Sequence, residues 1–100
     1  MVKHVILWQL KDEISDEEKK IIKKEIKEGL EGLVGVVPGL KELVVRTEGL
    51  ESSNADVMLD SLLENEQALA GYAVHKKHVE VANSKVRPYT KTRVCMDYEV

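Results

Sequence analysis

Val2-Lys3-His4-Val5-Ile6-Leu7-Trp8-Gln9-Leu10-Lys11 is the stretch on which the architecture turns. Val2, His4, Ile6, Trp8 and Leu10 fall on one side of an extended chain; Lys3, Val5, Leu7, Gln9 and Lys11 fall on the other. Successive strand residues point to opposite faces, so large apolar side chains occupy both faces at mid-strand. A strand of this kind has to be covered twice. Helices of the same chain can supply one cover, and the second must come from elsewhere.

Moving outward, Asp12-Glu13-Ile14 leads to a helix start. Ser15 followed by Glu18 is a capping box, and Asp16 and Glu17 suit the positive end of the helix dipole. Ile22, Ile26, Leu30, Leu33 and Val37 lie within about 80° of one another on a helical wheel, a single buried stripe. The spacing predicts a helix from Ser15 to a stop at Pro38-Gly39. Gly29, Gly32 and Gly35 weaken its last turns, each by about 1 kcal/mol relative to Ala. Leu40–Thr47 reads as a second strand, with Leu43 and Val45 on one face and Leu40 and Val44 on the other. Polar residues 48–54 bridge to a third strand at Ala55–Leu63, where Val57, Leu59, Ser61 and Leu63 alternate with Asp56, Met58, Asp60 and Leu62.

Asn65 caps a short helix in which Ala68, Leu69, Tyr72 and Ala73 share a side. A further helix over His75–Val86 ends at Arg87-Pro88. Thr90–Val100 is the last strand, with Val94, Met96 and Tyr98 on one face and Arg93, Cys95, Asp97 and Glu99 on the other. The order β-α-β-β-α-β predicts an α+β, ferredoxin-like fold: one domain over residues 1–100, with a four-stranded antiparallel sheet and its helices on one face. Val5, Leu7, Val44, Met58, Leu62, Val94, Met96 and Tyr98 then share the open face. An apolar patch of that extent marks an interface, and the simplest cover is the same sheet from a second copy. A homodimer is expected.

Composition narrows the function. The 100 residues are 43% hydrophobic and 33% charged, with no Phe, so Leu, Val and Ile fill the core. A net charge of -3 gives no electrostatic footprint for nucleic acid or an anionic membrane. No apolar run approaches the ~20 residues of a membrane span, and the first residues read as a strand rather than a signal peptide. The single Cys95 is read as ruling out an internal disulfide and any Cys-based zinc site, and fits a reducing cytoplasm. It is expected to be a small core hydrophobe.

Gly71-Tyr72-Ala73-Val74-His75-Lys76-Lys77-His78 holds two of the chain's three histidines. His75, His78, Val79, Ala82 and Val86 form one stripe, which directs both histidines inward. A buried imidazole needs a partner for each ring nitrogen, so the pair implies either a polar pocket or a hydrogen-bonded core. Tyr72 belongs to the stripe of the preceding helix. One straight helix cannot present both stripes to a single sheet, so a break is expected between Ala73 and His75, turning Tyr72 and His78 into one cavity. A metal site built from His4, His75 and His78 lacks a carboxylate at helical spacing.

The chain resembles the stress-responsive α/β-barrel (Dabb) family of dimeric α+β barrels. The residues that carry the resemblance are Val2-Lys3-His4, Lys11-Asp12-Glu13-Ile14, Pro38-Gly39-Leu40, Tyr72-Ala73-Val74-His75-Lys76-Lys77-His78-Val79 and Asp97-Tyr98. In the polyketide-cyclase members of this family a histidine base and a positioning tyrosine close a linear polyketide by aldol condensation. The resemblance assigns the base to His78 and the tyrosine to Tyr72, with Asp97 orienting His78. His4, Ile6, Trp8, Leu59, His75 and Cys95 would line the pocket for a small apolar or phenolic ligand. It also implies a magnesium ion held by the backbone carbonyls of Val34, Val37 and Leu40; no cofactor is required for the chemistry. Cyclase- or lyase-like proton transfer stands beside a non-catalytic reading, a stress-associated or ligand-binding protein with structurally satisfied histidines.

Overall fold

The computed structural model describes residues 1–100. Strand β1 (Val2–Leu10) leads to helix α1 (Asp16–Glu31), followed by strands β2 (Leu40–Arg46) and β3 (Val57–Leu63). Helices α2 (Glu66–Val74) and α3 (Lys76–Val81) come next, then a π-helical turn at Ala82–Val86, a 3-10 turn at Arg87–Tyr89 and strand β4 (Thr90–Glu99). The sheet order is β2-β3-β1-β4, antiparallel throughout, so β1 lies inside the sheet as its two-sided apolar pattern requires. This is the ferredoxin-like fold.

Val2, Ile6, Trp8 and Leu10 of β1 are buried on the helix side, with Val57, Leu59 and Leu63 of β3 beside them. From α1, Ile22, Ile26 and Leu30 close over that layer. Ser15 accepts the Glu18 N–H at 3.2 Å, as the capping box requires. The helix ends at Glu31, earlier than the sequence stripe suggests. Gly32 caps it, and Gly35, at φ 87°, takes the left-handed conformation that reverses the chain. Leu33 and Val37 reach the core from this irregular turn instead of from the helix. Their spacing recorded burial correctly but not conformation.

Strand β2 departs from simple alternation. Leu40, Leu43 and Val45 are all buried, because the pairing register with β3 shifts between Leu40 and Glu42. The extra residue of this bulge brings Leu40 onto the core side. On its free edge, the Val45 N–H donates to the Glu31 carboxylate at 3.0 Å and the Val45 carbonyl accepts from Lys27 at 2.8 Å. Burial alone would raise the Glu31 pKa, yet the Lys27 ammonium and the Val45 N–H hold it below the usual value. The α1 pair thereby closes part of an edge that would otherwise offer free backbone groups.

The opposite side of the sheet has no helix. Leu7, Val44, Val94, Met96 and Tyr98 are exposed there, with Val5, Met58 and Leu62 half-buried among them. A Lys3–Asp60 ion pair at 2.9 Å sits within the same face. Strand β4 is exposed along nearly its whole length. Cys95 is exposed with it, so the expectation of a core cysteine fails: the helices cover β2, β3 and β1 but stop short of the edge strand.

The chain enters β2 beneath α2. Gly39 has φ 82°, and a Cβ at this position would lie 2.5 Å from the Ala68 Cβ. Gly35 is also left-handed but has open space around it. Gly35→Ala should therefore lower stability by about 1–2 kcal/mol, the conformational term alone. Gly39→Ala should lose roughly 1–3 kcal/mol more, because α2 must also be displaced. Urea unfolding of the two variants measures the difference, and equal losses would contradict the close approach of α2.

Candidate functional site

Helices α2 and α3 are separated by one residue. His75 is extended (φ -62°, ψ 132°), and its Nδ1 accepts the Lys77 N–H at 3.1 Å. The imidazole thus serves as the N-cap of α3, satisfying one of the free amides at a helix start. The break allows each half to meet the sheet on its own terms. Tyr72 from α2 is buried, with 2% exposure, and its ring centroid lies 4.2 Å from that of His78 on α3. His4 from β1 meets the Tyr72 ring edge-on at 5.8 Å.

These three rings form part of the wall of a cavity of about 190 Å³ between sheet and helices. Ile6, Trp8 and Leu59 line it from the sheet, as expected. Trp8 is buried in the wall without closing the space. The helical side adds Leu30, Leu69, Ala73, Ala82 and Val86. At the remaining rim stand Arg87, Thr90 and Arg93, which the sequence reading did not single out. Arg93 lies in register with Trp8 across the β1–β4 pair, and that alternation was the one available signal.

The hydrogen bonds fix the ring tautomers. A carbonyl only accepts, so the His78 Nδ1–H donates to the Ala73 carbonyl at 3.3 Å and Nε2 keeps its lone pair. Burial is the main cause that holds the His78 imidazole below its ordinary value. Arg87, His4 and Arg93 add to this, against the opposing bond to Ala73. Burial likewise holds the Tyr72 phenol well above the usual range, with no hydrogen bond contributing. Near neutral pH the site therefore presents a neutral imidazole with a free nitrogen beside a protonated phenol. Such a pair can remove a proton from an acidic carbon and donate a hydrogen bond to the oxygen that gains charge.

Three sequence assignments change. Asp97 does not orient His78: its carboxylate accepts from the Nδ1 of His4 at 2.5 Å. The two residues face each other across β1 and β4, where side chains are held near one another by the strand register. His75 is outside the cavity, capping α3 beside a surface hollow lined by Pro38, Gly39 and Glu64. Cys95 is likewise absent from the cavity wall. Its Sγ lies 3.7 Å from the His4 Nδ1 and donates to Asp97 at 3.5 Å.

The histidines do not assemble as a metal set, since His75 is turned away. His4, Cys95 and Asp97 offer donor atoms within 4.8 Å of one another. That cluster is satisfied internally: Asp97 accepts from both His4 and Cys95, and burial together with Asp97 raises the Cys95 pKa, keeping the thiol protonated. Of the carbonyls assigned to magnesium, that of Val37 accepts the Leu40 N–H at 3.3 Å. None of Val34, Val37 and Leu40 contributes a charged donor, and none of them lines the cavity that holds Tyr72 and His78.

A dimeric ferredoxin-like protein of unknown function from Bacteroides fragilis superposes with a TM-score of 0.92 and 27% identity, covering 99% of this chain and 95% of that one. A protein from Arabidopsis thaliana aligns with a TM-score of 0.75 and 25% identity over 100% of this chain and 95% of its own. Hydroxynitrile lyase from Passiflora edulis shares the fold, with a TM-score of 0.72 and 16% identity over 97% of this chain and 90% of that one. A search of curated proteins found no match. The family model for the stress responsive A/B barrel domain (Dabb) matches residues 2–100, and the chain belongs to that family.

Proposed function

We propose that this protein is a single-domain homodimer whose cavity binds a small apolar or phenolic ligand and transfers a proton on it, in the manner of a polyketide-cyclase-like lyase. The observation that carries the reading is the pairing of Tyr72 and His78 across the His75 break, with ring centroids 4.2 Å apart in one cavity wall. His78 Nε2 takes a proton from a carbon next to a carbonyl, giving an enolate and an imidazolium. Tyr72 donates a hydrogen bond to the enolate oxygen. The enolate carbon then attacks a second carbonyl of the same ligand, and the imidazolium returns its proton to the alkoxide. His4, held by Asp97, supports the Tyr72 ring from the other side.

The volume supports a compact ligand. A cavity of about 150 Å³ accommodates benzene, and the present one, near 190 Å³, accepts a substituted single ring. The Passiflora edulis protein of the same fold is named as a lyase acting on hydroxynitriles. By family resemblance the backbone carbonyls of Val34, Val37 and Leu40 would hold a magnesium ion, which this proton transfer does not require. A second reading, a ligand-binding or stress-associated protein without turnover, is favoured by one observation: the Nδ1 atoms of His4 and His78 each already have a protein partner. We place the protein in the cytoplasm, where the exposed Cys95 thiol stays reduced.

The homodimer rests on the uncovered sheet face, whose apolar residues come from all four strands. Structural neighbours are described as dimeric. Sedimentation should give a dimer at micromolar concentration. Met96→Glu should shift it to monomer or aggregate by placing an unpaired charge in the interface. A monomeric unmodified protein under these conditions would contradict the assignment.

For the chemistry, His78→Ala should weaken binding of a phenolic ligand and reduce α-proton exchange of a bound ketone by about 10²–10⁴-fold. Loss of thermal stability with binding and exchange unchanged would leave only the structural role. Because the base must be neutral, exchange should hold a plateau at higher pH and fall as pH drops through the depressed His78 pKa, below 6.5. Stability has the same sign. Between that pKa and 6.5 the unfolded chain binds more protons than the folded one, so stability declines as pH falls through the window. His78→Gln should flatten this part of the stability profile, and an unchanged profile would count against a half-buried, neutral imidazole.

A further inference from the structure

The cavity wall contains no Asp or Glu, although the chain carries 18 acidic residues against 15 basic ones. Its charged members, apart from the histidines, are Arg87 and Arg93. Neither enters a salt bridge with a protein carboxylate: every cation in the salt bridges of the chain is a lysine or His4. Arg87 donates to the neutral Asn83 side-chain oxygen, which leaves its charge uncompensated. Arg93 stands beside the Cys95 thiol, which is also neutral.

Both guanidiniums arrive at the rim through specific local structure. Arg87 follows the π-helical turn at Ala82–Val86, whose wider winding shifts the phase of the residues after it. Pro88 then stiffens the 3-10 turn into β4. Arg93 is held by its strand pairing opposite Trp8. Both residues line the same cavity as His78 and Tyr72. Two unpaired arginines at the rim of an otherwise apolar cavity are an arrangement suited to an oxyanion, and the planar fork of a guanidinium matches a carboxylate with two parallel hydrogen bonds.

We propose that Arg87 and Arg93 form an anion subsite at the cavity rim that holds the carboxylate of the ligand, so that the substrate class is a small aromatic or enolic carboxylate. This rests on the reading of the cavity as a ligand site. The apolar ring lies against Ile6, Trp8 and Leu59, its hydroxyl or carbonyl oxygen meets Tyr72 and His78, and its carboxylate remains at the partly solvated rim. The geometry also explains why both arginines stay exposed: a buried, unpaired guanidinium would be far more costly.

Titration of the whole protein with 4-hydroxybenzoate and with its neutral isostere 4-hydroxybenzamide tests the subsite. The unmodified protein should bind the carboxylate about ten- to a hundredfold more tightly, the range of a charge-assisted hydrogen bond. Arg87→Gln and Arg93→Gln should each erode that preference, and the double variant should abolish it by weakening the carboxylate far more than 4-hydroxybenzamide. The preference should also shrink as salt is raised from 50 to 500 mM. Equal binding of the two compounds, or a preference that survives the double variant, overturns the anion subsite while the cavity reading stands. Binding of neither compound to the unmodified protein overturns the cavity reading and the subsite with it.

Discussion

The hydrogen bond from the Lys77 N–H to the His75 imidazole is small, yet the site depends on it. A continuous helix through residues 66–81 would place Tyr72 and His78 about 120° apart, six residues at 100° each. Only one of them could then face the sheet. The extended backbone of His75 ends α2, and its ring supplies the acceptor that α3 needs at its start. Local capping therefore stands in for the helical hydrogen bonds lost at the break. The result is a phenol and an imidazole facing one cavity, each kept in its uncharged form by burial.

The sheet contributes the other half of the arrangement. Because β1 lies between β3 and β4, His4 faces the cavity and stands opposite Asp97 at the same time. The rows flanking it carry Ile6 and Trp8 toward the helices while Val5 and Leu7 point to the open face. One strand thus builds both the cavity wall and the uncovered apolar face. Strand β4 has the same double duty, with Arg93 on the cavity side and Val94, Met96 and Tyr98 on the other. The uncovered sheet face and the cavity wall are therefore tied to the same backbone register.

Most of this was legible in the residues. Period-two alternation in β1, β3 and β4 gave the sheet, and the Ser15–Glu18 box gave the start of α1. The incompatible stripes of Tyr72 and His78 gave the break. What escaped was geometry that sequence periodicity does not encode. Leu33 and Val37 are buried on helical spacing although a glycine-rich turn carries them. Leu40 changes sides through a bulge. His75 shares a stripe with His78, but serving as a cap takes its side chain out of that stripe. Asp97 was known to face the helices; which histidine it met depended on strand register, and register places His4 directly across. Arg87 and Arg93 read as ordinary surface charges until the rim of the cavity showed their common location.

The proposed chemistry stands on Tyr72 and His78 facing one cavity that accepts a ring-sized ligand. Soaking crystals with 4-bromophenol and collecting data at the bromine absorption edge tests it most directly. An anomalous peak is expected between Trp8, Leu59 and the Tyr72–His78 pair, with the phenol oxygen within about 2.7–3.2 Å of a ring nitrogen or hydroxyl of that pair. A cavity filled by a rotated Trp8, or bromine bound only outside it, would show that no ring-sized ligand reaches the pair.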